Sequence, residues 1–261
     1  MQQLESACTY NTMAEHYHLL YSDWRQHVSE QSGILGPLLE TQLGPGPLKL
    51  LDCTCGIGTQ AIGLSQRGHH VTAADFCEPA LHRARIEAAR AGVSIDLRHA
   101  DIRHLDHLAI SACDAVLAME NSIPHLLTDE QLAQAFRATY SVLRPGGLFV
   151  MSMGDFDLIA PRRTRFQGPV FHSEGPFPRI LHQVWEWLDE RTFRLHLFIT
   201  RELGEGWQSL HFPVVYRALL RGEVTDLLTA AGYTNIRWLM PAESGFFQPI
   251  AMAARPMEHT A

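Results

Sequence analysis

The sequence predicts an α/β fold: a doubly wound, mostly parallel seven-stranded sheet with an N-terminal helical lid and an inserted antiparallel β flap. Three observations carry this. From Leu48 onward, short apolar runs alternate with segments of helical period, the pattern of strands joined by crossover helices. The first apolar run enters a turn with two closely spaced glycines, in "LLDCTCGIGTQ". Residues 155–219 are too many for an ordinary connection and contain two β-rich runs.

Each element has its own signal. Tyr10, Met13, Tyr17, Leu20, Tyr21 and Trp24, then Ile34, Leu35, Leu38 and Leu39, recur at helical spacing as far as "GPGP", which reads as two helices and a linker. Strands are expected at 48–53, 69–74, 94–99, 113–119 and 147–153, and helices at 59–67, 78–91 and 129–142. "ILHQVWEWL" and "TFRLHLFIT", separated by Asp189-Glu190-Arg191, predict a flap of two or three strands. A helix at 221–231 and strands near 234–239 and 247–253 complete the sheet. The implied organisation is a lid at 1–46, a core at 47–154 and 220–256, and a flap at 155–219.

With 261 residues, 46% of them hydrophobic, the chain is long enough for one large core. No run approaches ~18 apolar residues, and the polar start lacks the features of a leader, so neither a membrane partner nor secretion is expected. The five cysteines are odd in number and form no paired ligand sets. Reduced thiols in a cytoplasmic protein without a metal site are the expectation. Net charge is −7, and of 21 basic residues only Lys49 is a lysine. Apart from Arg162, Arg163 and Arg165 there is no basic cluster, so no nucleic-acid partner is expected.

The glycine turn suggests a site. A strand ending in Asp52, a turn whose glycines admit close backbone approach, and a helix N-terminus together suit the polar part of a nucleotide-like ligand. Asp75 closes the next strand, where a carboxylate can accept both hydroxyls of a ribose. Asp101 follows the third strand, where it can accept from a purine amine. A nicotinamide-dependent oxidoreductase shares this logic, but Ala61 stands at the third glycine position of that fingerprint.

In "LLDCTCGIGTQ", "VTAADF", "HADI" and "VLRPGGLFV" the chain resembles the class I S-adenosylmethionine-dependent methyltransferases. In "MENSIPHL" and "YHLLYSDWR" it is similar to glycine N-methyltransferase and its small-molecule relatives. The resemblance implies S-adenosylmethionine as cofactor and S-adenosylhomocysteine as product. It places Thr54, Gly56 and Gly58 at the methionine moiety, Asp75 at the ribose, and Asp101 and Ile102 at the adenine, with Phe76 a further cofactor contact. Met119 contacts the cofactor through its backbone and His125 falls at the amino-acid end, with Tyr17, Tyr21 and Trp24 closing over the site. Arg25 is the counterpart of an arginine that holds the cofactor carboxylate, although His27 aligns about as well.

For the chemistry, Glu120 and Tyr21 are the candidates, Glu120 as a base if burial lifts its pKa. Asn121, Tyr216, Arg217 and Phe247 are candidates for the acceptor. Gly154 stands where the glycine enzyme carries an acceptor-gripping arginine, with Asp155 and Asp157 beside it. That favours a small neutral, cationic or heterocyclic acceptor over glycine, with N-methylation of a compact amine ahead of O-methylation or a non-catalytic binding module. The oligomeric state is open, a homodimer among the options.

Overall fold

The computed structural model describes residues 9–110, 112–174 and 177–257; Cys8 and the start of the expected lid lie outside them. Seven strands form one sheet: β1 (Lys49–Asp52), β2 (His70–Asp75), β3 (Asp96–His99), β4 (Cys113–Ala118), β5 (Leu143–Ser152), β10 (Thr234–Leu239) and β11 (Ile250–Ala254). Their order is β10-β11-β5-β4-β1-β2-β3. Only β11 runs against its neighbours, pairing antiparallel with both β5 and β10. Such strands are covered on both faces and so read as continuous apolar runs: in β4, Ala115 to Ala118 are all buried.

Helices α2 (Thr59–Gln66), α3 (Glu78–Ala91), α4 (Asp129–Val142) and α6 (Arg221–Ala230) cover the faces. The bounds of α3 and α4 are those expected, because both have local punctuation. Gly92 ends α3 in the left-handed region at φ 70°, and Thr128 with Gln131 forms a capping box on α4. Strand order reverses direction at β1, which has β2 on one side and β4 on the other. A crevice outside the carboxyl ends of these strands is the default ligand site of such sheets.

The lid differs from the two expected helices. It comprises a short helical turn at 9–13, a 3-10 turn at Tyr17–Leu20 and one long helix, α1 (Trp24–Leu43). Asp23 caps α1 by accepting from Arg25 N (2.8 Å) and Gln26 N (3.1 Å).

The flap is one strand richer than the upper expectation: β6 (Phe166–His172), β7 (Arg179–Trp187), β8 (Thr192–Leu203) and β9 (Gly206–Arg217) form a four-stranded sheet in that order. A short helix, α5 (Phe156–Arg162), precedes it. One face is buried, through Leu181, Trp185, Phe193, Leu197, Ile199, Phe212 and Val214. Arg179, 1% exposed, ties flap to lid: its guanidinium donates to the carbonyls of Leu19 (2.8 Å), Tyr21 and Ser22 (3.2 Å). No helix of the described residues is long and apolar enough to cross a membrane.

Candidate active site

A pocket of about 350 Å³ opens at the carboxyl ends of β1, β2 and β4, beneath the lid. Its floor is the glycine turn. Gly56 has φ +53° and faces open space where a side chain would stand, so the backbone is bare toward the cavity. Gly56 N donates to Asp75 Oδ2 (2.8 Å) and Cys77 N to Asp75 Oδ1 (2.9 Å). These bonds fix the carboxylate and leave it lining the pocket. Burial pushes the Asp75 pKa up, against these amide bonds.

Asp101, Ile102, Phe76 and Met119 also line the cavity. Asp101 caps the following turn through Arg103 N (2.9 Å) and receives Arg103 Nε at 3.0 Å. Burial raises its pKa, but the Arg103 bonds outweigh that and hold the carboxyl below its ordinary range. Thr54 Oγ1 donates to Ser122 Oγ (2.9 Å) across the turn.

Glu120 organises the opposite end. It sits just after β4 with φ 56°, followed by Asn121 with φ 66°, a conformation uncommon for residues other than glycine. Ser152 holds this bend: its Oγ accepts from Glu120 N (2.8 Å) and its carbonyl from Asn121 N (3.2 Å). The carboxylate, 10% exposed, accepts from Tyr21 OH (2.7 Å), Tyr17 OH (3.1 Å), Gln60 Nε2 (3.1 Å) and Gln31. His27 Nε2 lies 3.4 Å away. Burial raises the Glu120 pKa, but the bonds from His27, Tyr21 and Gln31 overcome it, so the net direction is downward. This reverses the expectation of a base lifted by burial; Glu120 is built to remain an anion.

His125 forms a second cluster. Tyr10 OH lies 3.0 Å from His125 Nε2 and 3.3 Å from Tyr216 OH, and the rings of His125 and Tyr216 are 4.4 Å apart. Lid, core and flap meet here. Burial brings the imidazole down to about 4, so it is neutral at physiological pH.

Of the residues singled out in the sequence, Tyr17, Thr54, Gly56, Asp75, Phe76, Asp101, Ile102, Met119, Glu120 and His125 converge on this pocket. Tyr21 joins through Glu120. Trp24 does not face the cavity; it is 8% exposed, and its Nε1 donates to Thr59 Oγ1 (3.1 Å), pinning α1 to α2. Gly58 caps α2 at φ 94°, where a side chain would meet Ile62 Cδ1 at 3.0 Å; its role is packing. Arg25 is exposed, because its place in the first turn of α1 points it outward, and His27, two residues on, takes the inward position.

Asn121 supports the bend, accepting from Gly154 N (2.6 Å). Tyr216 touches the site only through Tyr10 and His125. Arg217 is spent on Asp129 (2.6 Å) and Glu223 (3.2 Å), because β9 ends beside α4 and α6. Phe247 is 54% exposed and stacks on Phe246 at 4.8 Å. Asp155 and Asp157 pair with Arg221, at 2.5 and 3.5 Å, and so leave the acceptor question to other groups. Gln31 and Gln60 went unnoticed in the sequence; the signal available was Gln31 one helical turn after His27, on the same face of α1. Among the described residues, His104, Asp106 and His107 bring potential metal-ligating atoms within 4.8 Å of one another, exposed and outside the pocket.

Residues 50–147 match the methyltransferase domain family. Over 114 residues the chain is 29% identical to glycine/sarcosine N-methyltransferase of Aphanothece halophytica, covering 44% of this chain and 43% of that protein. Over 167 residues it is 25% identical to tRNA 5-carboxymethoxyuridine methyltransferase of Escherichia coli strain K12, covering 59% and 62%. The chain thus spans less than two thirds of either relative. In structure it is similar to an S-adenosylmethionine-bound amino pentose methyltransferase from Micromonospora echinaspora, with TM-score 0.71 and 18% identity over 87% of this chain and 91% of that one. The domain match covers residues 50–147, and the sheet order with one reversed strand gives the chain a fold it shares with this S-adenosylmethionine-binding methyltransferase. The pocket fits that cofactor: a bare glycine backbone, a buried carboxylate with acceptor capacity left, and Ile102 and Met119 as apolar walls.

Proposed function

We propose that this chain is a cytoplasmic enzyme that methylates a small molecule, by N-methylation of a compact aromatic or heterocyclic amine rather than of glycine. When bound, S-adenosylmethionine supplies a methyl group on a sulfonium with a neutral thioether as leaving group. Asp75 would hold the ribose, Asp101 and Ile102 the adenine, and Thr54, Gly56 and Met119 the methionine part. Tyr17 and Tyr21 bring aromatic walls suited to a cation, and the lid excludes water while the acceptor is held in line.

One observation carries the acceptor class: the charge inventory of the pocket wall. Among the described residues lining it, the only guanidinium is Arg103, already engaged with Asp101. Nothing is left to grip a carboxylate as a bidentate fork. Neither Glu120, the candidate base, which is held low, nor the nearby His125, brought down to about 4, is suited to removing a proton at neutral pH. An acceptor that needs no deprotonation meets both conditions, and an amine whose conjugate acid ionises below neutral pH is such a group. An alcohol does not, which disfavours O-methylation.

The test is transfer of a labelled methyl group to a panel of heterocyclic and aromatic amines, phenols, glycine, sarcosine and tRNA. Turnover of an amine well above glycine and sarcosine is expected. Efficient sarcosine formation, or labelling of tRNA alone, would overturn the acceptor assignment.

A further inference from the structure

Among the described residues, the hydrogen-bond shell of Glu120 contains no lysine or arginine. Its donors are two phenols and two carboxamides, with one imidazole at 3.4 Å. A carboxylate taken out of water is normally paired with a charge or pays a desolvation cost. Here the anion, in the wall of a pocket, is solvated mainly by neutral dipoles, with the His27 imidazole as the one group among its described partners that can carry a positive charge. It is also presented on a backbone bend that a glutamate adopts only under strain, and strain of this kind clusters where a side chain must be aimed at a ligand. The two tyrosine rings whose hydroxyls reach Glu120 stand 6.2 Å apart, and aromatic faces beside a carboxylate are the usual surroundings of a sulfonium or ammonium ligand.

We propose that the Glu120 carboxylate is the counter-charge for the cofactor's cationic sulfur, so that the pocket holds the charged cofactor more tightly than its neutral thioether product. The inference rests on the S-adenosylmethionine reading of the pocket. S-adenosylmethionine and S-adenosylhomocysteine carry the same ammonium, carboxylate, ribose and adenine; they differ by one methyl group and one positive charge. A contact to the ammonium alters both affinities alike, whereas a contact to the sulfonium alters only one. The consequence is weak product inhibition: the C–S bond breaks as the N–C bond forms, the positive charge passes to the acceptor nitrogen, which loses a proton to solvent, and the neutral thioether left behind offers Glu120 no charge to hold.

Calorimetry with S-adenosylmethionine, S-adenosylhomocysteine and sinefungin, in which an ammonium-bearing carbon replaces the sulfonium, separates these cases without turnover. The wild type should bind the first and third about 10-fold or more tightly than the second, the scale expected for one charge pair at reduced dielectric. Glu120→Gln should bring the three affinities together by weakening the two cationic ligands. Equal binding of all three by the wild type, or a variant that weakens all three equally, would overturn the assignment. If Glu120→Gln loses its native melting transition, the wild-type preference for sinefungin over S-adenosylhomocysteine decides. No binding of any of the three by the wild type would overturn the cofactor reading as well.

Discussion

The two ends of the pocket are held by different means. At the Asp75 end the geometry is fixed by backbone: amides of Gly56 and Cys77 grip the carboxylate, and both belong to loops anchored directly on β1 and β2. At the Glu120 end the geometry is fixed by side chains reaching across from Tyr17, Tyr21, His27 and Gln31, all in the lid. The first end is held by contacts within the core alone. The second needs side chains of both core and lid, so the two ends can be perturbed separately.

The largest effect expected from breaking this arrangement lies under the fixed end. Burial lifts Asp52 from its ordinary 3.8 to about 7. Between those values the folded chain keeps a proton that the unfolded chain has lost, so the contribution is fully present at acid pH and is lost as pH rises from about 4 to about 7. Asp52→Asn cannot ionise. Its stability relative to wild type should therefore grow over that window, by on the order of 4 kcal/mol at the limit, and level off above it. Chemical denaturation of both proteins at pH 4 to 8 reads the difference; one that does not change with pH contradicts it.

A smaller effect is expected at the assembled end. Glu120→Ala strands the tyrosine and glutamine donors of the lid, costing about 3 kcal/mol. Hydrogen exchange should show amides in 17–31 opening faster while those of β1 and β2 are unchanged. Uniform loss of protection would mean that the ends are not independent. Arg217→Ala, which removes a tie between flap and core, should cost about 1–3 kcal/mol in denaturation and leave cofactor affinity unaltered. Arg25→Ala should change stability by less than about 0.5 kcal/mol and leave calorimetric cofactor affinity as in wild type. A large loss of affinity there would return Arg25 to the carboxylate-binding role.

The same division explains what could be read from the sequence. The bounds of α3 and α4 and the acids at the ends of β2 and β3 rest on signals local in the chain: caps, apolar runs and glycine turns. The first flap strand, Phe166–His172, lacks such a signal, because most of its residues are exposed and no alternation marks it. The state of Glu120 was also illegible. Burial and hydrogen bonding push its pKa in opposite directions, and the partners that decide the contest come from positions 17, 21, 27, 31 and 60. Arg217 was misread for the same reason, since its acids at 129 and 223 meet it only in the folded chain.

The central claim is that the glycine turn and Asp75 bind the adenosyl cofactor of this class. Titration calorimetry of S-adenosylhomocysteine into wild type and Asp75→Ala, with NADH as control, tests it directly. The account predicts a single saturable site in wild type, a loss of ~2 kcal/mol or more in the variant through forfeited ribose hydrogen bonds, and no binding of NADH. Tight NADH binding with no heat from S-adenosylhomocysteine would contradict it.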